Sequence, residues 1–244
     1  MSTCIVIPVY NHHEAIAYVV DAIRQFNLPC LLINDGSSEE CTAELRRLAE
    51  QEKTWLILHE REQNGGKGAA VISGLQLAID KGFSHAIQID ADGQHNLADM
   101  GLFLSASAAN PEKLILGMPR YDGGISKKRL YGRQFTNLWI WINTLSFDIT
   151  DGMCGFRCYP LAAVDKLFQS TTLGQRMDFD IEIAVRLHWQ GVKVINIETD
   201  VRYPLDGVSH FRMLEDNVLI SKKHAQLFFG MLWRLPMLLL RRLR

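Results

Sequence analysis

The chain has 244 residues, 48% of them hydrophobic and 22% charged, the composition of an ordinary globular protein large enough for one sizeable α/β unit. Its formal net charge of −1 gives no global attraction for nucleic acid, so an anionic partner has to be met by local clusters of Arg and Lys. No apolar stretch reaches the roughly 18 uninterrupted residues of a membrane span, and Cys4, Cys30, Cys41, Cys154 and Cys158 lack paired metal spacing, which predicts reduced, buried thiols in a cytosolic compartment. Thr3 to Val9 open directly on a strand pattern without the basic and then apolar run of a secretory signal, so secretion is not expected.

Strands are predicted at Cys4 to Val9, Cys30 to Asn34, Trp55 to His59, His85 to Ile89 and Leu114 to Met118. Helices are predicted between them at Glu14 to Phe26, Glu39 to Glu52, Lys67 to Lys81 and Leu97 to Ala109, the second capped by Ser37 or Ser38. The alternation implies a mostly parallel sheet covered by helices, and such sheets bind ligands beyond the carboxyl ends of their strands. Four loops then share that rim: Pro8 to Asn11, Asp35, Asn64 to Gly68, and Asp90 to Gln94.

Asp90-Ala91-Asp92 is the most informative of these. A strand delivers both carboxylates to its end, where an i, i+2 pair can share a hard divalent cation that also meets a diphosphate, although Asp-x-Asp also occurs in ordinary turns. Asn64-Gly65-Gly66-Lys67-Gly68 opens a helix whose free N–H groups and lysine suit a phosphate; it lacks the Walker and dinucleotide-binding patterns, and a simple tight turn is the competing reading. Asp35-Gly36-Ser37 reads either as a turn with a helix cap or as an acceptor for a base N–H.

The second half is less regular. A basic loop, Arg120 to Arg129, leads into an apolar helix, Leu130 to Phe147, a combination that suits a lipid phosphate. Asp151 to Arg157 reads as a loop, Asp178-Phe179-Asp180-Ile181-Glu182 as the start of an amphipathic helix whose acids also suit its dipole, and Gly207-Val208-Ser209-His210 as a loop before a long C-terminal helix. The tail, with Leu227 to Trp233, Met237 to Leu240 and terminal arginines, fits either a lipid headgroup layer or packing on the core or a second subunit.

Taken together, Pro8-Val9-Tyr10-Asn11 with Glu14, Asn34-Asp35-Gly36-Ser37, Asn64-x-Gly66-Lys67-Gly68-x-Ala70, Asp90-x-Asp92-x-Gln94, Gly117-x-x-Arg120-Tyr121, Asp151 with Gly155-Phe156-Arg157, and Phe179-Asp180-x-Glu182 resemble glycosyltransferase family 2, of the GT-A fold. Within it the likeness is to the polyprenyl-phosphate (dolichol-phosphate) mannosyl- and glucosyltransferases, over roughly residues 3 to 212. The resemblance implies a nucleotide-binding, Rossmann-like domain at 1–212 and an amphipathic helical tail at 213–244. It places a nucleoside-diphosphate sugar against Pro8, Tyr10, Asn11, Glu14, Asp35, Gly66, Lys67 and Asp90-Ala91-Asp92, with Mg2+ or Mn2+ on Asp90, Asp92 and Gln94, and uridine favoured over guanosine.

Inverting transfer is the implied chemistry, to a polyprenyl phosphate or another lipid or cell-envelope hydroxyl. A phosphate acceptor needs orientation by Arg120, Arg133 or Arg157; an alcohol needs a general base from Asp178, Asp180 or Glu182, with Asp180 preferred. Two departures stand out. Gly207-Val208-Ser209-His210 replaces the usual Gly-x-Ser-Lys, and Tyr203-Pro204-Leu205 stands where an arginine is common. With no spanning pair, a lipid acceptor would be reached from the surface, so a peripheral location on the inner face of the cytoplasmic membrane is expected, with a homo-oligomer through the C-terminal helix as a further expectation. The competing readings are a sugar-1-phosphate nucleotidyltransferase, disfavoured by the missing Gly-x-Gly-x-Arg loop, and a catalytically idle nucleotide-sugar scaffold, disfavoured because Asp90, Asp92 and Gln94 are all present.

Overall fold

The computed structural model describes residues 1–121, 127–201 and 212–242, with the backbone alone at 128 and 242. The Asp122 to Ser126 part of the basic loop and the loop with Tyr203 to Leu205 and Gly207 to His210 lie outside these residues.

Continuous apolar runs build the centre of the molecule because these strands are covered on both faces. β1 (Thr3–Val9), β2 (Cys30–Asn34), β3 (Leu56–Glu60) and β4 (His85–Gln88) alternate with α1 (His13–Arg24), α2 (Glu39–Gln51) and α3 (Lys67–Asp80). A 3-10 turn at Leu97–Asp99 then leads to α4 (Met100–Ala109) and β5 (Leu114–Tyr121). α5 (Lys127–Thr144), β6 (Arg157–Pro160), α6 (Leu161–Ser170), α7 (Phe179–Trp189), β7 (Val194–Val201) and α8 (Met213–Arg242) complete the chain. The sheet order is β3-β2-β1-β4-β6-β5-β7, with β6 antiparallel to both β4 and β5 and every other pairing parallel. Side chains alternate along β1: Cys4 and Val6 pack with α3, α6 and α7 on one face, and Ile5, Ile7 and Val9 with α1, α2 and α4 on the other.

Each predicted element of the first half is present, β2 with the predicted ends and the others with shifted ones. α2 is capped by Ser38, whose hydroxyl accepts from Cys41 N, while Ser37 instead accepts from Asn11 N and ties two loops together. β3 starts one residue later than the pattern implies because Trp55 turns back to donate its indole N–H to Glu52, 2.7 Å away. β5 runs three residues beyond the predicted Met118 because β7 pairs with it along its whole length, from Leu114 opposite Val194 to Tyr121 opposite Val201. All five cysteines are free and buried.

One face of α8 packs on the core. Ile220, Leu227, Met231 and Leu238 lie in the same core as the sheet, against α5 and α7. Lys223 reaches Glu182 and Asp178 at 2.6 and 3.4 Å, and Arg234 lies 4.6 Å over the Trp189 ring. The opposite face exposes Phe229, Leu232, Met237 and Leu240, with Trp233 88% exposed. Among the described residues no helix is long and apolar enough to cross a membrane.

His224 is buried in the α5–α8 seam, beside Asn143 and stacked on Trp139, and burial pushes its imidazole from 6.5 down to about 4. The unfolded chain therefore binds a proton that the folded chain refuses until the pH nears that value. The stability is complete above about pH 6.5 and falls as the pH drops toward 4, by about 2 kcal/mol at pH 5. Denaturant titrations of His224→Gln should be flatter across that window than wild type; parallel slopes would remove His224 as the cause.

Candidate active site

The four predicted loops meet at the carboxyl ends of β1 to β4, around a cleft of ≈ 440 Å³ whose far wall is the start of α5 and of α8. That volume is of the size that holds a small ligand. Pro8, Tyr10, Asp35, Gly66, Lys67, Asp90, Ala91, Asp92, Gln94, Arg133 and Asp180 all line it.

Asp92 closes a short turn by accepting from Gln94 N at 3.1 Å, with Gly93 at φ +68, a conformation that favours glycine. Asp90 sits deeper. Its carboxylate meets Lys67 Nζ at 2.9 Å and His95 Nε2 at 3.7 Å, and Gly155 is backed so tightly against it that a Cβ there would fall 2.2 Å from Oδ2. Burial opposes its charge, yet Lys67 and then His95 outweigh burial and hold the carboxyl well below the usual range. Lys67, at the start of α3, also pairs with Asp180 Oδ2 at 3.0 Å; burial would favour the neutral amine, but Asp180 and Asp90 hold the ammonium above its ordinary range.

The donor set here fits a hard divalent ion in part. Asp90 Oδ1 is buried with the Lys67 ammonium at 2.9 Å and no hydrogen bond of good geometry, and the Asp92 carboxylate and Gln94 amide stand on the same rim. Among the described residues no group of three or more His, Cys, Asp and Glu side chains could hold a metal. Two carboxylates and an amide need oxygens from a ligand to complete the shell, which is what a diphosphate brings.

Asp35 is placed differently from the reading that it accepts from a base. Its side chain is 2% exposed, its oxygens accept from Gly65 N, Gly66 N and Asn64 Nδ2 at 2.8 to 3.0 Å, and Arg61 Nε forms an ion pair with Oδ1 at 3.1 Å. These bonds fill most of the roughly four lone-pair sites of the carboxylate. Burial pushes its carboxyl up against the pull of the two glycine amides and Arg61. Asp35 fixes the glycine turn, with Gly66 at φ +98, so that α3 begins at the cleft.

Several sequence candidates are not brought to the cleft. Glu14 is 91% exposed on the outside of α1. Asn11, at φ +55, gives its amide oxygen to Ser38 N and stitches the β1 and β2 loops. Arg120 lies on the outer edge of β5, paired with Asp200 and Glu198 of β7. Arg157 is completely buried and donates to the carbonyls of Gly152, Cys154 and Asp180, so it cannot orient an acceptor. Of the acidic trio only Asp180 faces the cleft; Asp178 and Glu182 point to Lys223, and Glu182 also binds Arg186 and Gly174 N.

Other residues lining the cleft carried no signal in the motifs. Arg176, Arg212 and Asp216 belong to it through the approach of the α7 and α8 starts, which only the tertiary fold reveals. His95, against Asp90, directly follows the Asp-x-Asp-x-Gln stretch and was within reach of the sequence pattern.

Comparison with known proteins agrees with this architecture. The model of the family Glycosyl transferase family 2 matches residues 4–165. The polyprenol monophosphomannose synthase of Mycolicibacterium smegmatis is 25% identical over 80% of this chain and 75% of its own. The undecaprenyl-phosphate mannosyltransferase of Micrococcus luteus is 24% identical over 81% of this chain and 82% of its own. Among solved structures, glucosyl-3-phosphoglycerate synthase of Mycobacterium tuberculosis with Mn2+ and uridine-diphosphate-glucose superposes with a TM-score of 0.66, at 14% identity, over 94% of this chain and 78% of that one. With a mostly parallel seven-stranded sheet of the GT-A type and a match over most of its length, the chain belongs to glycosyl transferase family 2 and is a glycosyltransferase.

Proposed function

We propose that the protein moves a sugar, with inversion, from a nucleoside-diphosphate sugar, UDP favoured and GDP the alternative, to a polyprenyl phosphate or related lipid acceptor at a membrane surface. The observation that carries this reading is one cleft lined both by the carboxylates Asp90 and Asp92 and by the guanidinium groups of Arg129 and Arg133. Asp90, Asp92 and Gln94 would hold Mg2+ or Mn2+, which when bound neutralises the diphosphate leaving group. The α3 N-terminus and Lys67 add fixed positive charge on the same side. Relatives named for polyprenol and undecaprenyl-phosphate substrates support the acceptor class.

A phosphate acceptor asks less of this cleft than an alcohol does, because the one acid of the trio that faces it, Asp180, is ion-paired to Lys67 at 3.0 Å and lies 3.7 Å from Arg157. A lipid phosphate oxygen is already anionic and needs only to be aimed. The test is calorimetry with UDP, GDP, CDP and TDP, each with and without Mn2+, followed by turnover with undecaprenyl phosphate. Selective metal-dependent binding and release of that nucleotide on adding the acceptor is expected; failure of all four to bind would overturn the donor assignment.

The division into a catalytic part, residues 1–212, and a tail is proposed as functional, because the tail's inner face is built into the core. Its outer face and the exposed Tyr131, Phe135 and Leu138 of α5 would lie in the headgroup layer of the cytoplasmic face, near the cleft mouth. The double substitution Phe229→Glu and Trp233→Glu is expected to lower binding to phosphatidylglycerol vesicles at least tenfold without lowering the melting temperature. Unchanged vesicle binding, with loss of a concentration-dependent dimer instead, would assign the face to a second copy.

A further inference from the structure

Asp151 lies in the segment between α5 and β6, buried, and the proposed reaction assigns it nothing directly. Its carboxylate grips Arg133, on the second turn of α5, along one edge: Nη2 donates to Oδ1 at 2.7 Å and Nε to Oδ2. The same Oδ1 accepts from Met153 N and Cys154 N, both at 2.9 Å, and Gly152 N donates to Asn137, one turn further along α5. A guanidinium has five N–H donors in a rigid fork. The Asp151 grip uses two of them and leaves the Nη1 pair and one on Nη2, the end-on edge that engages an oxyanion with two parallel bonds. Burial opposes charge on Arg133, but Asp151 more than offsets it and keeps the guanidinium cationic in a wall of the cleft where its side chain is 16% exposed.

We propose that Asp151 is a positioning residue, which fixes Arg133 in one orientation so that a phosphate monoester entering the cleft from the α5 side meets a preset bidentate donor. An arginine free to rotate would have to lose several rotamers on binding, a cost removed when the fork is held in advance. The bond to Asp151 also leaves a nearly neutral pair, so the acceptor is selected by geometry as much as by charge. This rests on the phosphate-acceptor reading given above.

Asp151→Asn separates positioning from structure. Asn keeps an oxygen for Met153 N and Cys154 N, so the loop stays closed, but its amide N–H2 then confronts Arg133 and the two-bond grip is lost. Calorimetry would use farnesyl monophosphate, with farnesol as the control for the tail, on wild type, Asp151→Asn, Arg133→Gln and the double variant. The expected result is tight phosphate-dependent binding by wild type, a tenfold or larger rise in Kd for each single variant, no further rise in the double, and an unchanged nucleotide affinity that shows each variant folded. Additive losses in the double variant, or an unchanged Kd in Asp151→Asn, would overturn the assignment of Asp151 while leaving the acceptor class standing. Equal binding of farnesol and its phosphate by wild type would overturn both.

Discussion

Asp92→Ala should lose metal-dependent nucleotide binding and at least about three orders of magnitude in kcat/KM, some 4 kcal/mol of transition-state stabilisation, while melting at the wild-type temperature. The two halves of this expectation come from different parts of the structure. The Asp92 carboxylate makes one backbone bond, to Gln94 N, so its removal costs the fold little. Its partner Asp90 is a poorer probe: it is ion-paired to Lys67, faces His95 and has Gly155 pressed against it, so a change there disturbs packing as well as chemistry. A divalent ion held by Asp90 and Gln94 alone would have two protein oxygens, too few to fix a diphosphate in one place. Turnover is measured with saturating Mn2+, and near-normal rates in the variant would refute Asp92 as a ligand.

What the sequence revealed follows from how each part is buried. Strands covered on both faces read as apolar runs, so β1, β2, β4 and β5 were legible, while the edge strand β3 was read from the short run Trp55 to His59; parallel topology then puts the loops after β1 to β4 on one rim. β6 was not legible. It is four residues long, begins with an arginine and ends with a proline, and a pattern reader assigns such a segment to a loop. β7, the other edge strand, was missed because Asn196, Glu198 and Asp200 break its apolar run. The acidic trio shows where residue type stops and geometry begins. Positions 178 and 182 are one helical turn apart and share a face, whereas 180 is about 200° away from 178, so the first two dock α8 through Lys223 and only Asp180 reaches the cleft. Arg120 and Glu14 match motif positions, yet each points outward, since a motif fixes place along a chain and not the side a residue faces.

Arg157→Met is expected to destabilise the fold by about 3 to 5 kcal/mol, which lowers the melting temperature of a chain this long by roughly 6 to 20 °C. The arginine is fully buried at the start of β6, where its backbone pairs with Gln88 and Leu116. Its three bonds, 2.7 Å to Cys154 O, 2.6 Å to Asp180 O and 2.8 Å to Gly152 O, join the loop that carries Asp151 to the first turn of α7. Methionine fills similar volume but leaves those carbonyls without donors in a site closed to water, at about 1 to 3 kcal/mol each before relaxation. It also leaves the Asp180 carboxylate with Lys67 as its one remaining cation among the described residues. Lysine should not rescue the fold, because a single ammonium cannot serve acceptors spread around a planar fork. An arginine that contacts the acceptor would give the opposite pattern, with normal melting and a raised acceptor KM. Thermal unfolding of Arg157→Met and Arg157→Lys therefore separates the two roles: a shift of less than about 2 °C in both would return Arg157 to the list of ligand-binding residues, and a large shift in both would establish it as the buried clamp on which the position of Asp180 depends.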